Sequence, residues 1–197
     1  MLEIGLILIK GYINQVNSEI ELNRVIKFIK GKKPKIISEK KIENYKKYLT
    51  IACLNGQELN YADTDKMIIS NNDLLMVMDG ASSGDIYYSD SGVVGSTLAK
   101  VDIIDDNYRK GYIYFCIRKY TNLIKSKNIG SAIPHTDKTF VGNLFIPEID
   151  INEQKKFDIL LERIQQTQKE NEILIQLRNT LLPKLMNGEL DLEKIKI

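Results

Sequence analysis

Eight lysines fall between positions 30 and 47: Lys30, Lys32, Lys33, Lys35, Lys40, Lys41, Lys46 and Lys47. Only Glu39 and Glu43 face them in that window. The chemistry such a cluster can do is contact with phosphates, for which a concentrated patch matters more than net charge. The whole chain has a net charge of only +2, so no global excess points to nucleic acid. Charge alone leaves two readings open, a solvated surface segment or a phosphate-contacting one.

Catalytic constellations are harder to find. Gly31-Lys-Lys-Pro-Lys35 lacks the glycine frame and the Lys-Ser/Thr pair of a phosphate-cradling loop. A nucleophile triad needs a histidine, and His135, beside Pro134 in a loop, is the only one. Asp79-Gly-Ala-Ser-Ser-Gly84 has amides that can wrap an anion but reads better as a turn. Glu148 with Glu153 and Lys155 imitates a magnesium nuclease set at too short a spacing. Asp105-Asp106-Asn107 is ordinary turn chemistry. Neither an Asn-Pro-Pro-Tyr nor an Asp-Pro-Pro-Tyr box is present, so the expectation is a chain that is not an enzyme by itself and needs no metal or cofactor.

The elements that must position these residues read as β-rich. Apolar runs at Ile4 to Ile9, Val25 to Ile29, Tyr48 to Leu54, Asp73 to Met78, Thr97 to Ile104, Tyr112 to Ile117 and Asn143 to Ile146 are taken as strands. Tyr114 to Leu123 reads equally well as a helix. Gly31 to Lys35 reads as an exposed loop and Asn55 to Asp65 as polar and turn-rich. The glycines and serines between Gly80 and Ser96 punctuate short strands. Cys53 and Cys116 sit inside apolar runs with no second ligand nearby, which suits buried reduced thiols and a cytoplasmic protein. No signal peptide is legible, and Ile4 to Ile9 is too short to span a bilayer, so no membrane is expected.

A long helix closes the sequence. Asp150 with Glu153 has capping-box spacing, and Asn152 competes as the cap. Gly188 after Asn187 can close the far end, and Pro183 is expected to kink the last turn. Between them Phe157, Leu160, Ile164, Leu174, Leu181 and Leu185 fall on steps of three and four, with Thr167, Asn171 and Arg178 in the same seam. That is a heptad pattern, widened by Leu161, Ile175 and Leu182. Such a helix should meet both a partner helix and its own globular body. The expected fold class is therefore α+β: a β-rich domain over residues 1–149, then a long coiled-coil-forming helix and tail over 150–197.

Several segments in order carry a family resemblance: Asn72-Asp-Leu-Leu-Met-Val-Met-Asp-Gly80, Gly130-Ser-Ala-Ile-Pro134, Gly142-Asn-Leu-Phe-Ile-Pro147, Asn152-Glu-Gln154, Arg178-Asn-Thr-Leu-Leu-Pro-Lys-Leu185 and Asn187-Gly-Glu-Leu190. From about residue 20 onward the chain resembles the specificity subunit of type I restriction-modification systems, with one target-recognition domain and one conserved-region helix where such subunits carry two of each. The resemblance implies recognition of a bipartite target in double-stranded DNA on behalf of separate methyltransferase and ATP-dependent nuclease subunits. It also implies pairing through the helix, as a homodimer or with another specificity subunit. The DNA-backbone contacts it suggests are the Lys30 to Lys47 cluster with Arg109, Lys110, Lys125 and Lys127. An alternative reading is an adaptor or decoy that binds no DNA and assembles through its helix.

Overall fold

Leu2–Gln15 forms a helix (α1), where Ile4 to Ile9 reads as a strand in the sequence. The run is apolar all round, which hides a period of 3.6, but Gly5, Ile9 and Tyr12 share the face turned to the core. In this computed structural model, residues 1–130 and 133–188 are described. The chain falls into two units, Met1–Leu161 and a second beginning at Glu162.

In the first unit α1 is followed by β1 (Glu19–Glu21), a single 3₁₀ turn (Leu22–Arg24), β2 (Ile26–Lys30), β3 (Ile37–Ser38), β4 (Tyr45–Leu49), α2 (Ile51–Leu54) and β5 (Tyr61–Asp63). Then come β6 (Ile69–Ser70), β7 (Leu74–Val77), β8 (Ile86–Tyr88), β9 (Gly92–Val94) and β10 (Leu98–Ile103). Three helices, α3 (Lys110–Lys119), α4 (Thr121–Ser126) and α5 (Lys138–Gly142), precede β11 (Phe145–Pro147) and the long α6 (Ile151–Met186).

The strands make an antiparallel four-stranded sheet in the order β2-β10-β7-β8 and a five-stranded sheet in the order β3-β5-β4-β9-β6, in which only β4 and β9 run parallel. A separate pair, β1 and β11, brings Glu19 opposite Pro147. Leu49, Cys53, Leu75, Val77, Val94 and Leu98 close a core contributed by both larger sheets and α2. The expected β-rich domain followed by a long helix is what the chain forms.

Two further strands expected from sequence give way to helix. Tyr48 to Leu54 is interrupted because the Thr50 hydroxyl accepts from the Cys53 amide at 3.1 Å, capping α2 and ending β4 at Leu49. Tyr112 to Ile117 lies in α3, where seven consecutive residues from Gly111 to Ile117 are buried. A helix covered on every side has no polar face to betray its period. β5 also emerges from the stretch read as turn. Both thiols are buried and unbridged, and burial pushes Cys116 up to about 12. No helix among the described residues is long and apolar enough to cross a membrane.

The first eleven residues of α6 belong to the first unit. Asp150 is its cap, the carboxylate accepting from the Asn152 amide at 2.7 Å and the carbonyl from Gln154. Glu153 does not complete the capping box; it accepts from Tyr12 and Lys156 instead. The helix continues through Pro183 to Met186, and Gly188 takes the left-handed conformation, φ +68°. Glu189, Leu190, Ser131 and Ala132, which belong to the resemblance motifs, lie outside the described residues, as does the rest of the expected tail.

At Gly111 the backbones of α3 and α6 touch: a Cβ there would overlap the backbone of Phe157 and Asp158. Nothing lies within 4 Å of a Cβ added at Gly11 in α1. Gly111→Ala should cost about 1–3 kcal/mol through overpacking. Gly11→Ala should gain roughly 0.5–1 kcal/mol from helix propensity. Urea unfolding of the two variants measures both signs.

Candidate nucleic-acid interface

The lysine segment is held by its backbone and leaves its side chains outside. The Gly31 amide donates to Leu98 O at 2.9 Å and the Lys32 amide to Val94 O at 3.1 Å, while Pro34 is buried. Gly31 presses on the Val94 and Gly95 carbonyls where no Cβ fits. Lys32, Lys33 and Lys35 are left exposed. After β3, the Ser38 hydroxyl donates to Lys40 O and accepts from the Lys40 amide, and Asn44 is left-handed at φ 67°, turning the chain into β4. Lys40 and Lys41, in the connection between β3 and β4, and Lys46, on β4 at the middle of the five-stranded sheet, are exposed.

Among the described residues, Lys32, Lys33, Lys35, Lys40, Lys41 and Lys46 have no ion-pair partner. Lys30 is tied to Asp79 at 3.0 Å, and Lys47 stands 3.9 Å from Asp90. The other sequence-expected cations are occupied elsewhere. Arg109 binds Asp158 on α6, Lys110 reaches Asp73 and the Asn72 carbonyl, both at 2.8 Å, and Lys125 meets Asp85 at 2.8 Å. Lys127 is exposed. The six lysines thus keep free ammonium groups, while Arg109, Lys110 and Lys125 are tied to carboxylates of the body.

Asp73 is the most occupied of those carboxylates, with Lys100 at 2.9 Å, Lys110 at 2.8 Å and the Asn71 amide at 2.9 Å. Burial alone would raise it, but the Asn71 amide and the two ammonium groups hold it below the usual carboxylate range. Asp79 is lowered in the same manner: His135 and Lys30 outweigh its burial. No cluster of three His, Cys, Asp or Glu side chains among the described residues is arranged to hold a metal ion.

The helix seam divides in two. Phe157 is fully buried, its ring 5.5 Å from Tyr112, 5.7 Å from Phe115 and 6.1 Å from Tyr12. Leu160 and Ile164 are half-buried. Asn171, Leu174, Arg178, Leu181 and Leu185 are exposed, Leu174 by 60%. The Gln154 side chain, buried at the start of α6, accepts from the Arg109 amide at 2.9 Å and donates to the carbonyls of Asn107 and Ile149 at 3.0 Å each. Its place in the Asn152-Glu-Gln154 motif was the sequence signal; its burial was not legible.

A profile for the type I restriction modification DNA specificity domain matches residues 16–179. The chain belongs to that family. It is 29% identical over 180 residues to the type I restriction enzyme MjaVIII specificity subunit of Methanocaldococcus jannaschii, covering 84% of this chain and 41% of that one. Against the EcoBI specificity subunit of Escherichia coli it is 25% identical over 129 residues, covering 61% and 27%. The chain therefore spans less than half the length of these relatives.

Two solved structures share the fold of this specificity-domain chain. The S subunit of a type I restriction-modification system from M. genitalium superposes with a TM-score of 0.62 at 19% identity over 87% of this chain and 46% of that one. The HsdS subunit of Thermoanaerobacter tengcongensis gives 0.59 at 18% identity, covering 96% and 52%. Within the specificity domain the resemblance motifs do architectural work. Pro134 O accepts from the Gly80 amide and the Ser83 hydroxyl, Pro147 O from the Tyr112 hydroxyl, and Gln154 fastens α6 to the chain before α3.

The Asp73 network carries a pH signature. A carboxylate held below its unfolded value contributes stability that is present above that value, roughly pH 3.9. The contribution is lost as the pH falls through the lowered folded value. Asp73→Asn should cost about 1–3 kcal/mol at neutral pH. It should also flatten the decline in stability below pH 4, as seen by chemical unfolding at several pH values.

Proposed function

We propose that this chain is the DNA-recognition component of a type I restriction-modification system, non-catalytic by itself. It directs separate methyltransferase and ATP-dependent nuclease subunits to a bipartite target. The observation that carries the reading is the specificity-domain match across residues 16–179, which includes the six unpaired lysines. Lysines free of protein carboxylates can replace the counterions of DNA phosphates and set the register of the protein on the duplex. Two buried thiols suit the reducing cytoplasm in which such a system works.

We also propose that two copies pair through α6 in antiparallel register. Ile173, Leu174, Leu181, Leu182 and Leu185 are exposed by 37–63%, and burying such side chains is worth roughly 1.5–3 kcal/mol each before association costs. Asn171, near the middle of the seam, can meet its symmetry mate and fix the register. The 36 residues of α6 span about 54 Å, more than one turn of B-DNA at roughly 34 Å. Recognition domains at opposite ends of such a pair read a split palindrome.

Binding to duplex DNA should weaken steeply as salt rises. Lys32, Lys33 and Lys35 changed together to Ala should lower affinity uniformly across sequences and reduce the salt slope by about two to three. An unchanged slope removes the cluster from the interface, and no DNA binding at all favours an adaptor instead.

Light scattering tests the pairing: a dimer at micromolar concentration should become a monomer when Leu174 and Leu181 are both changed to Glu. A wild-type monomer of the same mass as the double variant refutes it.

A further inference from the structure

One surface cluster takes no part in the phosphate contacts proposed above. Asp79 follows β7, and its carboxylate accepts from Lys30 Nζ at 3.0 Å and from His135 Nδ1 at 2.7 Å. The bond to a carboxylate places the proton of the neutral ring on Nδ1, so Nε2 is left as an acceptor. Nε2 has no partner among the described residues, and the His135 side chain is 53% exposed.

The pair is not what holds its loop. The Gly80 amide donates to Pro134 O at 3.0 Å, the Thr136 amide to Met78 O at 2.8 Å and the Thr136 hydroxyl to Val77 O at 2.7 Å. The His135 amide and carbonyl both bond Ile129, and Ser83 Oγ donates to Pro134 O at 2.8 Å. With the loop secured by these six hydrogen bonds, an exposed ion pair adds little stability. What it does add is orientation of one ring nitrogen. Lys30 offsets the Asp79 charge, which phosphates would otherwise repel, and lies two residues from the unpaired Lys32.

We propose that His135, oriented by Asp79, is a base-reading residue: its Nε2 accepts a hydrogen bond from the exocyclic amine of adenine or cytosine in the major groove. Guanine and thymine present acceptors at that edge and are disfavoured. The proposal rests on the DNA-recognition reading. His135 is then the specificity contact, Asp79 its positioning residue, and the Lys32 to Lys46 group the sequence-independent contacts.

The test is binding of the full chain to duplexes randomised through each half-site, with sequencing of the bound fraction. In the wild type one position should prefer adenine or cytosine by roughly two- to tenfold, the worth of one neutral hydrogen bond. His135→Asn places an amide nitrogen where Nδ1 was, keeps the Asp79 bond and lacks Nε2. It should erase that preference while leaving the melting temperature and the salt slope unchanged. Asp79→Asn, free to donate to Nδ1 and leave the ring proton on Nε2, should move the same position toward guanine or thymine. Sequence-selective wild-type binding with His135→Asn indistinguishable at every position overturns this proposal alone, as does a loss that is uniform across sequences. Wild type that binds no DNA, or binds all duplexes alike, overturns the recognition reading and this proposal with it.

Discussion

Much of this chain depends on one buried ring. Phe157, in the second turn of α6, is enclosed by Tyr12 of α1 and by Tyr112 and Phe115 of α3, and Gly111 brings the two helix backbones together beside it. Apolar burial on this scale is non-directional. Direction comes from the polar ring around it: Gln154 takes the Arg109 amide, Asp158 takes the Gly111 amide and the Arg109 side chain, and Tyr12 donates to Glu153. Each of these would be costly to leave unpaired, so the helix start has one seat and one rotation. A helix whose later residues are exposed needs a fixed origin, and these contacts provide it.

The same requirement sorts the charges. Carboxylates of the body consume the cations that lie near them: Asp158 takes Arg109, Asp73 takes Lys100 and Lys110, and Asp85 takes Lys125 and Arg118. The more exposed pairs at Asp85 contribute little to stability individually, unlike those of the buried Asp73, but all of them neutralise the surface on which they sit. The segment from Lys32 to Lys46 has only Glu39 and Glu43 to answer its lysines, and the structure pairs neither with them. A chain of net charge +2 thereby presents a local field far stronger than its total implies.

What was legible in the sequence follows from the same physics. The long helix announced itself because Asp150 and Gly188 punctuate it and its solvated face keeps the period visible; β7 and β10 did so as dense apolar runs. α1 and α3 were hidden for the opposite reason. Gly111 to Ile117 is buried all round, and Ile4 to Ile9 is apolar all round with Ile4 and Ile7 exposed, so neither shows a polar face at helical spacing. The lysine cluster could be seen as a cluster, but not which cations are free, since the partners of Arg109, Lys110 and Lys125 lie 37 to 49 residues away. His135 looked like an isolated surface histidine because its partner Asp79 is 56 residues distant.

These separations also place the outward-facing cations and the architecture on different groups. The Gly31 to Lys35 loop is fixed by amides and by Pro34, and the loop at His135 by bonds to Met78, Val77, Gly80 and Ile129, so the side chains facing outward carry almost none of the fold. The motif residues Pro147 and Gln154 sit at the helix joint and make no hydrogen bond to the lysine segment. A substitution at Lys33 or His135 therefore changes what the surface meets without disturbing the seat of α6, whereas a change at Gln154 unseats the helix whatever the surface reads. Short strands joined by backbone-pinned loops supply that independence of surface side chains from the fold.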